Sequence, residues 1–124
     1  MATRMTVELV KEYRFEAAHQ LPHVPPGHRC ARVHGHSFRF EIHVTGPVDA
    51  HTGWLIDFGE LDTVVMPLVD RVDHHMLNEI EGLENPTSEV CAKWLFDRIK
   101  SGIPQLTALT FYETHDARCV YRGE

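Results

Sequence analysis

Two stretches of apolar–polar alternation, the second of them strict, separated by a proline-rich gap, constrain this chain most. In residues 6–19 one parity reads Val7, Leu9, Tyr13, Phe15, Ala17 and His19, and the other reads Thr6, Glu8, Glu12, Arg14 and Glu16. In residues 34–45 one parity reads His34, His36, Phe38, Phe40, Ile42 and Val44, against Ser37, Arg39, Glu41, His43 and Thr45. Successive side chains of a strand point to opposite faces, so each segment is a strand with one buried and one solvated face. Lys11 interrupts the apolar parity of the first strand and points to a bulge or a sheet edge there. The gap, residues 20–33, carries Pro22, Pro25, Pro26 and Gly27. It is too long for a tight hairpin turn, and loops of that length are commonly functional or disordered.

The middle of the chain changes period. After Gly46-Pro47 and a short apolar run, Gly53-Trp54-Leu55-Ile56, Asp57 and Glu60 have the spacing of an N-cap and its capping-box partner. Leu61, Val64, Val65, Leu68 and Val72 follow at helical spacing, with Pro67 expected to kink the helix or end its regular part. A second helix begins near Asn85-Pro86-Thr87-Ser88-Glu89, capped by Asn85 or Thr87. Its apolar stripe is Val90, Cys91, Trp94 and Leu95, and Gly102 is expected just past its end. Strand character returns with Leu109, Phe111 and Glu113 on one parity, then Cys119 to Arg122. The order β-β-α-α-β-β predicts an α+β fold with an antiparallel sheet, built as a single domain over residues 1–124.

Composition narrows the function. A net charge of −6 disfavours non-specific nucleic-acid binding. A local basic pocket near Arg29 and Arg32 remains compatible with a small anionic ligand. No apolar run is long enough to span a bilayer, and the segment Met1 to Met5 lacks a signal core. The expectation is a cytoplasmic protein with no membrane partner. Three cysteines, Cys30, Cys91 and Cys119, argue against a disulfide framework.

Ten histidines are many for this length. His34-Gly35-His36 puts two imidazoles on one side of a strand, the side continued by Phe38 and Phe40. His19 ends the other strand on its apolar side. If the strands pair, the three rings converge at one end of the sheet. Three imidazoles are a good zinc set and leave a fourth position open, as in catalytic sites. Paired histidines bonded to carbonyls are the plainer alternative, and Cys30 has to be weighed as a fourth ligand.

Cys30 lies in the Pro/Gly-rich loop, where His28, Arg29, Arg32 or a metal would favour its thiolate. Cys91, on a helix stripe, reads as core. Asp73-His74-His75 sets a carboxylate beside imidazoles, which either orients a histidine or is solvated at the surface. Glu113, at the end of an apolar face, is either at the rim or aimed at a ligand.

Taken together, Phe15-Glu16-Ala17-Ala18-His19, Cys30 with His34-Gly35-His36, Asp73-His74, Asn85-Pro86-Thr87-Ser88-Glu89 and Glu113-Thr114 resemble the 6-pyruvoyl-tetrahydropterin synthase family. The three-residue gap between Cys30 and His34 is similar to that of its bacterial branch, which forms 6-carboxy-5,6,7,8-tetrahydropterin for queuosine. The resemblance implies a T-fold (tunnelling fold) with two helices on one face of the sheet, assembled as a homohexamer from two trimers. It implies Zn2+ on His19, His34 and His36, and a 7,8-dihydroneopterin triphosphate substrate. Cys30 would be the catalytic base and Asp73 with His74 a proton relay, His75 being the other imidazole to consider. Glu113 would act as a catalytic group and pterin anchor, with Thr87 and Ser88 helping to seat the ring.

Overall fold

The computed structural model describes residues 5–124; Met1 to Arg4, read above for a signal core, lie outside the described residues. The elements are β1 (Thr6–His19), β2 (His34–Pro47), α1 (Phe58–Val72), β3 (His75–Met76), α2 (Ser88–Gly102), β4 (Leu106–Thr114) and β5 (Ala117–Tyr121). They form a sheet of order β3-β1-β2-β4-β5, antiparallel except for the β1–β3 pair. This is the α+β architecture expected from the alternating and helical periods.

β1 and β2 pair residue for residue from Thr6↔Pro47 to His19↔His34. The apolar parities therefore share one face, and the helices cover it. Phe38, Phe40, Ile42, Val44, Leu61, Val65, Leu95, Ile99, Leu109 and Phe111 are each at most 2% exposed and make one core. Aromatic rings from neighbouring strands stack across the ladder: Phe15 on Phe38 at 5.1 Å and Tyr13 on Phe40 at 5.4 Å. On the opposite face Arg39 bonds Glu12 at 2.8 Å and lies 3.5 Å over the Tyr112 ring.

The structure settles several local questions. Lys11 sits in an unbroken register opposite Ile42, so there is no bulge. The edge reading holds instead, since β3 pairs only with Ala17 and Ala18 of β1. Its stem crosses the apolar face, and its ammonium reaches Asp62 of α1 at 3.4 Å, over the Tyr13 ring. Pro67 neither ends nor divides α1, which continues to Val72. Its ring removes one backbone donor, a loss the packed helix tolerates because Leu61, Val65, Leu68, Val69 and Val72 anchor both sides of it.

Asp57 caps α1, accepting the Gly59 N–H at 3.3 Å, and Thr87 caps α2, accepting the Val90 N–H at 3.2 Å. Gly102 belongs to α2 rather than following it; Ile103 is the C-cap. A Cβ on Gly102 would lie 2.9 Å from Val64 Cγ1, so this glycine serves the close approach of α1 to α2, not a left-handed turn.

The two faces should respond differently to truncation. Phe40→Ala, at a fully buried site, should cost about 3–5 kcal/mol. Arg14→Ala, on the solvated face, should stay within about 0.5 kcal/mol of wild type. Urea unfolding followed by circular dichroism measures both.

Candidate metal centre

The β1–β2 register sets His19 opposite His34 and Ala17 opposite His36. All three imidazoles thus emerge on the helix-covered face at one end of the ladder. Their ring centroids form a triangle of 4.6, 4.9 and 5.2 Å, and Phe38 packs crosswise against two of the rings, His19 at 5.4 Å and His36 at 5.3 Å. β4 adds Glu113, whose Oε1 lies 3.2 Å from His19 Nε2 and 3.6 Å from His36 Nε2. One donor atom from each of these four residues falls within 4.8 Å of every other.

Backbone carbonyls orient two of the rings. His19 Nδ1–H donates to the Pro86 carbonyl at 2.9 Å, and His34 Nδ1–H donates to the Arg32 carbonyl at 2.8 Å. Each bond fixes the tautomer and leaves Nε2 with a free lone pair. The Nε2 atoms of His19 and His36 are buried and have no hydrogen-bond partner. Burial is the main reason that the His36 imidazole is held below its ordinary pKa, which favours its neutral form; Glu113 opposes the shift and the other two histidines add to it. The Glu113 carboxyl is held below its ordinary range, first by the His19 ring 3.2 Å away and then by the other imidazoles.

Desolvated lone pairs aimed at a carboxylate repel one another unless a cation lies between them. A proton on His19 Nε2 would meet that need only by charging the ring, since Nδ1 is already committed to Pro86. A divalent metal meets it without protonation. Three imidazole nitrogens and one oxygen are a donor set of the borderline kind that suits zinc, and Glu113 could serve as the fourth donor or face the open position.

The other expected site residues fall in two groups. Asp73 caps the C-terminus of α1, and its Oδ2 meets His74 Nδ1 at 2.9 Å. Its Oδ1 accepts the Glu16 N–H at 2.8 Å, and this bond, followed by the one to His74, holds the Asp73 carboxyl below its usual range. His74 takes a left-handed backbone, φ 59°, anchored by its N–H to the Glu16 carbonyl. His75 instead donates Nδ1–H to the Asp73 backbone carbonyl, so the carboxylate has selected His74. His36 and His74 line one open cleft of about 580 Å³ beside Ala17, Gly35 and Met76.

Cys30 sits in a short turn, Arg29–Ala31, half-buried, with its N–H donated to His28 Nδ1. Its sulfur is not a member of the four-donor cluster. Thr87 spends its hydroxyl oxygen on the α2 cap, and Ser88 opens the helix. Both follow Pro86, whose carbonyl holds His19. The carbonyl of Pro86 and the membership of Glu113 in the cluster were not anticipated. Parity put Glu113 on the correct face, but only the β2–β4 register sets its height.

The chain is similar to known proteins over most of its length. A family model described as 6-pyruvoyl tetrahydropterin synthase matches residues 8–124. The 6-carboxy-5,6,7,8-tetrahydropterin synthase of Synechocystis sp. is 42% identical over 112 residues, covering 86% of this chain and 85% of that protein. The enzyme of the same name from Bacillus subtilis is 32% identical over 127 residues, covering 93% and 84%. The solved structure of Caenorhabditis elegans 6-pyruvoyl tetrahydropterin synthase superposes with a TM-score of 0.85 at 27% identity, covering 98% of this chain and 97% of that one.

If the cluster is a metal centre, the metal-free chain should take up one zinc per chain, and His36→Ala should weaken binding by at least tenfold. Binding should also fade as the pH drops through about 6–6.5, where free imidazoles take up protons. Competition with a chromophoric chelator across pH reads all three; pH-independent binding would exclude the histidines as ligands.

Proposed function

The chain belongs to the 6-pyruvoyl tetrahydropterin synthase family, and from that premise we propose that it is a 6-carboxy-5,6,7,8-tetrahydropterin synthase. Its substrate is 7,8-dihydroneopterin triphosphate, and its products are 6-carboxy-5,6,7,8-tetrahydropterin, acetaldehyde and triphosphate, on the route to queuosine and other 7-deazapurines. The observation that carries the metal part of this reading is the pair of buried, partnerless Nε2 atoms on His19 and His36 facing Glu113. The choice of product is supported by the relatives of that name at 42% and 32% identity.

In this reading His19, His34 and His36 hold Zn2+. When bound, the metal supplies Lewis acidity toward the hydroxyls of the substrate side chain. The protein residues do the rest. Cys30, off the donor cluster, takes a carbon-bound proton as thiolate. Asp73 accepts the Nδ1–H of His74, which leaves His74 Nε2 to move protons at the cleft that it shares with His36. Glu113 accepts two N–H groups from the guanidine-like edge of the pterin, a geometry a carboxylate matches in two places. Thr87 and Ser88 border the ring beside Pro86.

We further assign a homohexamer of two trimers and a cytoplasmic location. The oligomer is supported by the outer edge of β1, which β3 covers only at Ala17 and Ala18, and by the exposed apolar Met5, Trp54 and Phe58. Among the described residues no helix is long and apolar enough to cross a membrane.

Incubating the zinc-loaded protein with 7,8-dihydroneopterin triphosphate tests the activity. Acetaldehyde should appear in step with 6-carboxytetrahydropterin; a pyruvoyl product without acetaldehyde would place the chain with the pyruvoyl-forming enzymes instead. Cys30→Ala should lose about 10³-fold or more in kcat with full zinc content. Glu113→Gln should keep zinc and lose substrate affinity; loss of zinc from it would make Glu113 a ligand rather than an anchor.

A further inference from the structure

We propose that Asn78 is a positioning residue that holds the metal-binding end of β1 and the Cys30 turn in one fixed relation. The inference rests on the roles given above to the histidine triad and to Cys30.

The β1–β2 ladder stops at His19↔His34, so Gln20 is the first residue whose backbone groups have no ladder partner. Asn78 replaces that partner. Its Oδ1 accepts the Gln20 N–H at 3.0 Å, and its Nδ2 donates to the Gln20 carbonyl at 2.8 Å. One side-chain amide thus supplies both halves of a strand-like pair. It fixes the peptide planes on either side of Gln20, the first of which begins at His19.

The same Nδ2 lies 3.4 Å from the Glu84 carbonyl, a longer third contact. Glu84 lies two residues before Pro86, whose carbonyl sets the His19 tautomer. The backbone of His19 and the acceptor for its ring are therefore tied to one amide. The next residue carries the restraint outward, because the Leu21 N–H donates to the Cys30 carbonyl at 2.8 Å. Moving Gln20 would move the metal ligand before it and the thiol loop attached after it. Asn78 itself is well anchored. It sits in the 3-10 turn Leu77–Glu79, between the fully buried Leu77 and the partly buried Ile80, four residues after His74.

An amide is required for this. Its acceptor and donor must meet an N–H and a C=O at once. Aspartate keeps the shape and can take the Gln20 N–H, but it sets a carboxylate oxygen against the Gln20 and Glu84 carbonyls. Alanine removes all three contacts.

The test compares the zinc-loaded wild-type protein with Asn78→Asp and Asn78→Ala. Three quantities are read: zinc affinity by chelator competition, the rate of Cys30 alkylation by iodoacetamide followed by mass spectrometry, and kcat with KM. Both variants should bind zinc about 10-fold or more weakly, as partners of metal ligands commonly do on removal. Cys30 alkylation should change rate, and kcat should fall more than KM rises. Asn78→Asp should be no better than Asn78→Ala, although it is the closer isostere.

Wild-type zinc affinity and kcat in both variants would overturn the proposal. So would a lower melting temperature with zinc affinity and Cys30 alkylation unchanged, since that is a fold role alone. If Asn78→Ala does not fold, the isosteric aspartate carries the same comparison. If the wild type yields no pterin product while the variants still lose zinc, the positioning role stands and the activity assigned above falls.

Discussion

The antiparallel pairing of β1 with β2 is the contact on which the rest of this structure depends. Its register is continuous over the full length of both strands. Because the side-chain period is two, a slip of one residue would send the Tyr13, Phe15, Phe38 and Phe40 rings to the solvated face and scatter the histidines with them. Burial of those aromatic rings beneath α1 and α2 therefore enforces the same register that sets His19 against His34. The hydrophobic core and the metal centre are specified by one alignment, and neither can shift without the other.

At its end the ladder does something a core alone would not tolerate. It buries imidazole nitrogens with no hydrogen-bond partner and sets a carboxylate opposite them. Such groups are costly when left unpaired. The surrounding backbone sharpens the arrangement, since the carbonyls of Arg32 and Pro86 hold the Nδ1 protons and turn the lone pairs inward. Desolvation favours the neutral form of His36, which is the state a metal needs. The site is thus held ready by polar contacts one step removed from it, of which Asn78 makes the most.

Much of the fold was legible because hydrophobic burial imposes its period directly on a sequence. The two long strands, the Asp57 cap and the apolar stripes follow from residue type and spacing; the choice of Thr87 over Asn85 as the α2 cap came from the structure. The misreadings came from residues whose role is set by a distant neighbour. Pro67 suggested a kink or an end to the regular helix, and packing on both sides carries α1 across it to Val72, so it is no end. Gly102 suggested a helix stop, but it makes room for Val64. β3 is two residues long and leaves no periodic trace. Asp73 and His74 could be solvated or paired by sequence alone; the left-handed turn at His74 and the Glu16 backbone make them a pair.

By itself the sequence determined which side chains share a face: His34 and His36 by strand parity, His19 by the parity of its own strand, Glu113 by that of β4. It also marked Cys30 as lying outside any apolar pattern. The tertiary structure alone decided how far along each strand those faces align. That alignment put Glu113 among the imidazoles, left the Cys30 sulfur outside them, and brought the Pro86 carbonyl and the Asn78 amide to either side of His19. The physical reason is that parity is a local property of the backbone, fixed by the alternation of successive residues. Register and long-range hydrogen bonds depend on where segments distant in sequence come to rest, and only the packed core sets that.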